Sequence, residues 1–192
     1  MRVSMAPQSK FTFLLITGSP AVGKFTVGSI LAKKNNIALF HNHLIIDLVK
    51  SLIPGAHNKG RSVLRQKILY DCLDAVAQQD ISLIITHAYG HGYVYSSGIT
   101  DQQYVARIRK IAEKYGGNFV SVHLVASKKT LMQRVREISR KKFKKITTKK
   151  LLNEVIMNQD IVTPPFKDSL VIPTESLTAS QTVKLIEKHV RF

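Results

Sequence analysis

The chain has 192 residues, of which 44% are hydrophobic and 21% are charged. This composition is typical of a folded domain and argues against disordered, collagen-like and disulfide-scaffold classes, and the length suits one domain with a sizeable core. Lysine and arginine number 29 against 12 aspartates and glutamates, a formal net charge of +17. We therefore expect anionic partners, although charge alone does not choose among phosphates, nucleotides and nucleic acid.

Several features argue against secretion and membrane insertion. No apolar stretch approaches the roughly 18 to 20 residues that span a bilayer, and residues 11–16 are too few for the core of a signal peptide. The single cysteine, Cys72, cannot form an internal disulfide, and its surroundings predict a buried position on a helix. We expect a cytoplasmic protein with no membrane partner.

Apolar runs typical of buried strands alternate along the chain with segments of helical periodicity. Strands are predicted at residues 11–17, 37–40, 81–86, 118–125 and 169–172. Helices are predicted around residues 27–34, 44–52, 61–79, 101–115, 127–135, 148–157 and 180–190. Asp101 is the expected N-cap of the fourth helix. This order predicts a single α/β domain over residues 1–192, with a five-stranded parallel sheet, helices on both faces and ligand chemistry at the carboxyl ends of the strands.

The first strand leads into a G-x-x-x-x-G-K motif formed by Gly18, Ser19, Pro20, Ala21, Val22, Gly23 and Lys24. Glycines at these positions let backbone N–H groups curl around phosphate oxygens, and the helix that follows adds partial positive charge. Lys24 can reach the outer phosphates of a nucleotide. The alternative is a glycine turn with a solvated lysine, but strand, spacing and helix all favour phosphate binding.

The residue after Lys24 departs from the usual motif. Phe25 stands where a serine or threonine hydroxyl normally ligates magnesium, and Thr26 comes one position later. The third strand ends in Thr86 and His87 rather than in an aspartate. We expect Mg²⁺ to be held mainly through water and through phosphates, as its chemistry permits.

With Lys24, Phe25 and Thr26 in this order, the chain resembles the P-loop small-molecule and nucleotide kinases, the group of shikimate kinase, gluconate kinase and adenylate kinase. It also looks like a member of a group of predicted P-loop kinases that combine a GKxT loop with the letters FHNH, here residues 40–43. The resemblance implies a three-layer P-loop NTPase fold, ATP and Mg²⁺ as cofactors, and transfer of the γ-phosphate to a small-molecule acceptor. It also implies that Thr26 contacts the α-phosphate.

Candidate acceptor-binding residues follow the second and third strands. His41, Asn42 and His43 stand where shikimate-kinase-like proteins carry acidic residues. Two histidines on one face of a strand make metal ligation conceivable, but they fall short of a zinc set, and polar strand ends hydrogen-bonded to their neighbours are equally expected.

Two residues are candidates for the general base. Asp47 is the first choice, either toward an acceptor hydroxyl or toward a water on magnesium, and its alternative is an acid that favours the dipole of its helix. His87 at the end of the third strand is the second, with Tyr89 and His91 as possible acceptor contacts. A histidine there can also simply bond to a neighbouring carbonyl.

A basic lid is predicted at about residues 134–148, in the region where the resembled kinases close an arginine-bearing segment over the nucleotide. Residues 105–150 hold fifteen lysines or arginines and two acids, a net charge of +13. Arg134 and Arg140 are the expected phosphate contacts, and Arg136 is a further candidate. Helical geometry does not let all three point at one phosphate, so we expect some of them to be solvated. We expect residues 140–145 to form a mobile segment whose lysines are mostly solvated.

Two other functions remain open. The high positive charge favours a nucleic-acid 5′-end kinase or a nucleic-acid-binding NTPase, although no aromatic and basic stacking motif supports it. Phe25 and the missing strand-end aspartate favour a nucleotide-binding module with little turnover.

Overall fold

The computed structural model describes residues 9–55, 58–136, 146–190 and 192. Five strands alternate with helices over these residues: β1 Thr12–Gly18, β2 Ala38–His41, β3 Leu83–Thr86, β4 Asn118–Val125 and β5 Leu170–Pro173. The helices are α1 Lys24–Asn35, α2 His43–Leu52, α3 Lys59–Gln78, α4 Asp101–Lys114, α5 Lys128–Arg134, α6 Lys149–Asn158 and α7 Ala179–Glu187.

All five strands run parallel in the order β2-β3-β1-β4-β5. The predicted five-stranded parallel sheet is therefore confirmed. β1 lies at the centre, between β3 and β4, and all seven of its residues are buried. Because the chain leaves β1 toward β2 on one side and later crosses to β4 on the other, the carboxyl end of β1 is the point at which an open α/β sheet forms its ligand crevice.

Side chains of β1 alternate between two cores. Phe13 and Leu15 pack with the core residues of α2, α3 and α4, whereas Leu14 and Ile16 pack with those of α1, α5, α6 and α7. Coverage on both faces explains why β1 has a continuous apolar run instead of alternating apolar and polar residues. Helices thus enclose the sheet in three layers, and its carboxyl edge is left for the site.

Two local predictions are wrong. The N-cap of α4 is Thr100, not Asp101: Thr100 and Gln103 form a capping box, and Asp101 is the first helical residue. Cys72 lies on α3 as predicted but is exposed, because Leu69 and Leu73 fill the buried stripe and the residue before Leu73 is rotated by about 100° from it.

Part of the predicted lid is not among the residues that the structure describes. Arg140 and lysines 141, 142, 144 and 145 of the predicted lid lie outside the described residues. Of the helices built from the described residues, none combines the length and the apolar character that crossing a membrane requires.

Gly18 ends β1 at a position where only glycine fits. Its φ is 132°, and a Cβ placed on it would lie 2.2 Å from the backbone oxygen of Leu124 on β4. Gly116 has φ 76° after α4 but no atom within 4 Å of such a Cβ. Comparing the two positions therefore separates backbone strain from steric overlap.

We predict that Gly18→Ala lowers the free energy of unfolding more than Gly116→Ala does. The second change adds only left-handed strain, about 1 kcal/mol, whereas the first also forces β1 and β4 apart and loses about 3 kcal/mol or more. Urea unfolding followed by circular dichroism measures both. Equal losses would contradict a steric requirement at Gly18.

Candidate functional site

The phosphate loop (residues 18–24) carries the chain from β1 into α1 through three positions of positive φ, the first of which is Gly18. Ala21 has φ 70°, and Gly23, the N-cap of α1, has φ 106° and ψ 6°. Among the described residues, no side chain caps α1, although a side-chain oxygen caps five of the other six helices. The amino end of a helix carries partial positive charge and attracts anions, and at α1 no described capping side chain occupies that end.

Lys24 brings positive charge to the same loop. Its Nζ donates to the carbonyl oxygens of Gly18 at 2.8 Å and Ser19 at 2.7 Å, so the side chain folds back across the loop. The first turn of α1 contains no acidic residue. The N–H groups, the dipole of α1 and the ammonium group of Lys24 therefore all bring positive charge to the loop, which favours binding of an anion.

A cleft of about 1010 Å³ opens over the phosphate loop at the carboxyl edge of the sheet. Residues 20–26 form part of its wall, so the predicted contacts from Pro20 to Thr26 all face one space. Gly18 and Ser19 are not lining residues: both are buried behind the wall, where they shape the loop.

Arg134, at the end of α5, lies on the cleft wall as the lid prediction requires. Its guanidinium donates to Thr174 after β5, from Nη1 to Oγ1 at 3.0 Å and from Nη2 to the backbone oxygen at 2.7 Å. Thr174 in turn donates from Oγ1 to the carbonyl oxygen of Val22 at 3.4 Å. Arg134 is thus fixed beside the phosphate loop, whereas Arg136 is exposed.

A chain of polar side chains occupies the ends of β2 and β3. Nδ2 of Asn42 lies 3.1 Å from Nδ1 of His87, and Nε2 of His87 lies 2.8 Å from Oδ1 of Asp101. The hydroxyl of Tyr95 donates to the same carboxylate oxygen at 2.6 Å, and the N–H of Gly90 donates to the other at 2.9 Å. The sheet therefore places an asparagine, a histidine and a carboxylate in one hydrogen-bonded row.

Burial and hydrogen bonding set the charge of this row. Burial alone raises the pKa of Asp101, but attraction to His87 and hydrogen bonds from His87, Tyr95 and Gly90 outweigh it and hold the pKa below its usual value. Burial and the nearby Asp101 raise the pKa of Tyr95, so its hydroxyl keeps its proton. An ionised carboxylate only accepts, so Nε2 of His87 donates to Asp101, and in the corresponding tautomer of the neutral ring Nδ1 is the acceptor for the Asn42 amide.

His123 on β4 is a second buried histidine, beneath the phosphate loop. Its Nε2 donates to the carbonyl oxygen of Ile161 at 3.2 Å, and its Nδ1 lies 2.9 Å from Oγ1 of Thr17. Burial lowers the pKa of His123, and the positive charge of Lys24 lowers it further. The ring therefore stays neutral at physiological pH and adds no charge under the loop.

Of the other residues predicted to bind the acceptor, His41 and His43 line the cleft and Asp47 does not. His41 and His43 line the cleft with rings 6.3 Å apart, and Phe25 meets His41 edge-on at 5.2 Å between ring centroids. Asp47 is exposed on α2 and is not among the residues lining the cleft, because the side of α2 that faces it presents His43, Ile46 and Lys50. Asp47 as the base stays a prediction.

The described residues do not offer a direct metal-binding set. They contain no group of three or more histidine, cysteine, aspartate or glutamate side chains able to hold an ion. Asp101, the one carboxylate on the described cleft wall, already accepts from His87, Tyr95 and Gly90. Phe25 in the usual hydroxyl position adds no oxygen ligand for a divalent ion directly after Lys24.

Asp101 is the site residue that sequence reasoning missed. Its sequence neighbourhood indicates a helix N-terminus, and nothing in the spacing of fourteen residues shows that its carboxylate returns to His87. The signal available was the combination of glycines and tyrosines just before it, which is typical of a loop that folds over a site.

Solved kinase structures resemble this arrangement of strands and helices. A sugar kinase from a Janibacter species matches with TM-score 0.63 at 14% identity, over 93% of this chain and 93% of that chain. A gluconokinase from Sinorhizobium meliloti matches with TM-score 0.59 at 12% identity, over 92% and 89%. A shikimate kinase from Bacteroides thetaiotaomicron matches with TM-score 0.53 at 15% identity, over 93% and 97%. The chain shares their fold.

The predicted three-layer fold of the P-loop kinases is therefore confirmed, and at these identities the likeness extends to the fold alone. No model of a known protein family matches the chain, and no curated protein matches it either. Activity has to be argued from the residues of the cleft.

We predict that Asp101→Asn lowers the free energy of unfolding at pH 7 by about 2 to 4 kcal/mol, because a buried carboxylate that accepts from His87, Tyr95 and Gly90 is replaced by an amide with only one accepting oxygen. Since the folded-state pKa of Asp101 is depressed, its contribution is present above the unfolded value of about 3.9 and is lost as the pH falls through the folded-state value. The difference between the two proteins should shrink as the pH falls below about 4.

Urea unfolding of both proteins across this pH range measures the difference. Asp71→Asn is the matched control, because its carboxylate forms only an exposed pair with Lys67 and its loss should change little. A difference for Asp101→Asn that stays constant with pH would show that the carboxylate is not ionised in the folded protein.

Proposed function

We propose that this protein is an ATP-binding kinase that transfers the γ-phosphate to the hydroxyl of a small-molecule acceptor. One observation carries the proposal. A single cleft joins the uncapped amino end of α1, with Lys24 across it, to the polar row of Asn42, His87 and Asp101. A phosphate site beside a proton-accepting site is what phosphoryl transfer to a hydroxyl needs.

The phosphate loop binds the triphosphate in this proposal. Amides at the start of α1 donate to the phosphate oxygens, and Lys24 exchanges a carbonyl contact for an outer phosphate oxygen. Arg134, held by Thr174 beside the loop, offsets negative charge that spreads over the migrating group. Arg140 stays a predicted second contact.

The nucleoside lies over the first turns of α1. The resemblance to adenylate kinases implies that Thr26 contacts the α-phosphate, and Thr26 lines the cleft. Ile30, Leu177 and Ala179 line the same part of the wall and supply an apolar surface for a base. ATP therefore suits this half of the cleft in both charge and polarity.

His87 is the base that the geometry favours. The acceptor oxygen attacks the γ-phosphorus, the bond from that phosphorus to the bridging oxygen breaks, ADP leaves, and the hydroxyl proton moves to Nδ1 of His87. Asn42 releases its contact with Nδ1 of His87 and binds the acceptor hydroxyl instead. Asp101 stabilises the resulting imidazolium by accepting from Nε2. His41 and His43 flank the acceptor. When bound, Mg²⁺ neutralises phosphate charge.

We expect Lys24→Ala to weaken binding of ATP, measured by calorimetry, by at least about tenfold, which corresponds to about 1.4 kcal/mol. Lys33→Ala is the control: it removes the same charge from the same helix at an exposed position far from the loop. Equal affinities of the two variants would rule out the phosphate role of Lys24.

Release of ADP should be followed with sugars, shikimate, nucleosides, nucleotides and 5′-hydroxyl oligonucleotides as acceptors. We expect turnover with a small molecule. Turnover with the oligonucleotide alone would identify a nucleic-acid 5′-end kinase, and nucleotide binding without any transfer would identify a binding module.

The base can be assigned by comparing His87→Gln with Asp47→Asn. We expect His87→Gln to lower kcat by about 10²-fold or more and to leave ATP affinity unchanged, since its ring acts on the acceptor proton. A loss confined to Asp47→Asn would instead move the base to α2.

A further inference from the structure

Arg65 on α3 contributes a positive charge to the cleft wall on the acceptor side. Its Cζ lies 5.0 Å from the ring centroid of Tyr95, whose hydroxyl contacts both Asp101 and His87. Nε of Arg65 is buried and has no hydrogen-bond partner among the described residues, and no described carboxylate forms an ion pair with the guanidinium. The donor capacity of Arg65 is therefore unused within the described chain.

Positively charged side chains outnumber negatively charged ones on the described cleft wall. Among the described residues, one carboxylate lines the cleft, that of Asp101, and it already accepts hydrogen bonds from His87, Tyr95 and Gly90. The same part of the chain contributes four lysine or arginine side chains to the wall: Lys24, Lys50, Arg65 and Arg134. Lys24 and Arg134 lie at the phosphate loop. Lys50 comes from α2 and Arg65 from α3, so two positive charges remain on the acceptor side after the nucleotide is accounted for.

We propose that the acceptor carries an anionic group, a carboxylate or a phosphate, that binds to Arg65, with Lys50 adding attraction and Tyr95 holding the guanidinium plane. The inference rests on the proposed kinase function and deepens it by naming the class of acceptor. A molecule bound in this way presents its hydroxyl to Asn42 and His87 and its anion to α3.

The chemistry of Arg65 suits that role. A guanidinium is planar and carries its donors in a fork that matches the two oxygens of a carboxylate or phosphate. The Tyr95 ring, 5.0 Å from Cζ of Arg65, limits the movement of the fork, and Tyr95 is itself held by Asp101 and packs against Tyr93 at 5.0 Å between ring centroids. Arg65 is therefore a preorganised anion-binding group.

A purely structural role does not account for Arg65 equally well. Arg109 also packs over aromatic rings, those of Phe119 and Phe166, but its charge is paired with Asp168 and Glu113. Arg107 packs over Tyr70 at 4.3 Å on an exposed face of α4, outside the cleft. Arg65 differs from both, since it combines a half-buried guanidinium, no described counter-charge and a place on the cleft wall.

The test uses the NMR signal of the Arg65 Nε–H group, assigned through its loss in Arg65→Gln, with the phosphate loop first saturated with AMP-PNP. Malonate and inorganic phosphate are then titrated separately. We expect a saturable shift of the Arg65 signal at millimolar concentrations with at least one anion, and no matching shift of the Arg107 signal. The anion that produces the shift distinguishes a carboxylate from a phosphate group.

Two results would overturn the inference: no shift of the Arg65 signal with either anion, or equal shifts at Arg65 and Arg107. Because AMP-PNP already fills the loop in this experiment, nucleotide binding is seen independently, and its failure would count against the kinase function instead. Arg107→Gln serves as the control for removal of one arginine.

Turnover provides a second readout. For the acceptor that the screen identifies, Arg65→Gln should raise the acceptor KM by about tenfold or more, while the KM for ATP and the turnover of Arg107→Gln stay unchanged. A neutral acceptor, or an acceptor KM that does not change in Arg65→Gln, would contradict the proposal.

Discussion

The left-handed turn between β1 and α1 is the constraint on which the rest of the site depends. Gly18 lies so close to the backbone of Leu124 that no side chain fits, and Gly23 starts α1 without a capping side chain. The turn leaves helix amides facing the cleft at the centre of the sheet, where strands on both sides end. Lys24 and Thr174 are then positioned by their contacts with the carbonyls of this loop.

The negative and the positive side chains of the cleft lie at different places, so they do not neutralise one another where ligands would bind. The negative charge of Asp101 is buried and satisfied by His87, Tyr95 and Gly90, so its effect is to orient one imidazole. The positive charges of Lys24, Arg65, Lys50 and Arg134 face the cleft. A fixed histidine between two positive regions suits an acceptor hydroxyl that lies between a nucleotide and a second anionic group.

The features that depend on neighbouring residues along the chain could be predicted from the sequence. Strand runs, helix periodicity and the glycine spacing of residues 18–24 are local signals, and they predicted the five parallel strands and the loop between β1 and α1. Asp101 and Arg65 were missed because their positions at the cleft depend on contacts between separate segments: Asp101 accepts from His87, and Arg65 packs on the ring of Tyr95. The predicted burial of Cys72 is wrong because the buried face of α3 runs through the adjacent residue.

The proposed kinase function depends first on the amides at the start of α1, which bind the phosphates of the nucleotide. Amide chemical shifts of residues 21–26, measured by NMR with and without AMP-PNP, test it most directly. We predict that these amide protons show the largest downfield shifts in the protein, and that AMP, which lacks the outer phosphates, shifts them much less. Binding of AMP-PNP with these amides unchanged and the shifts located elsewhere would contradict it.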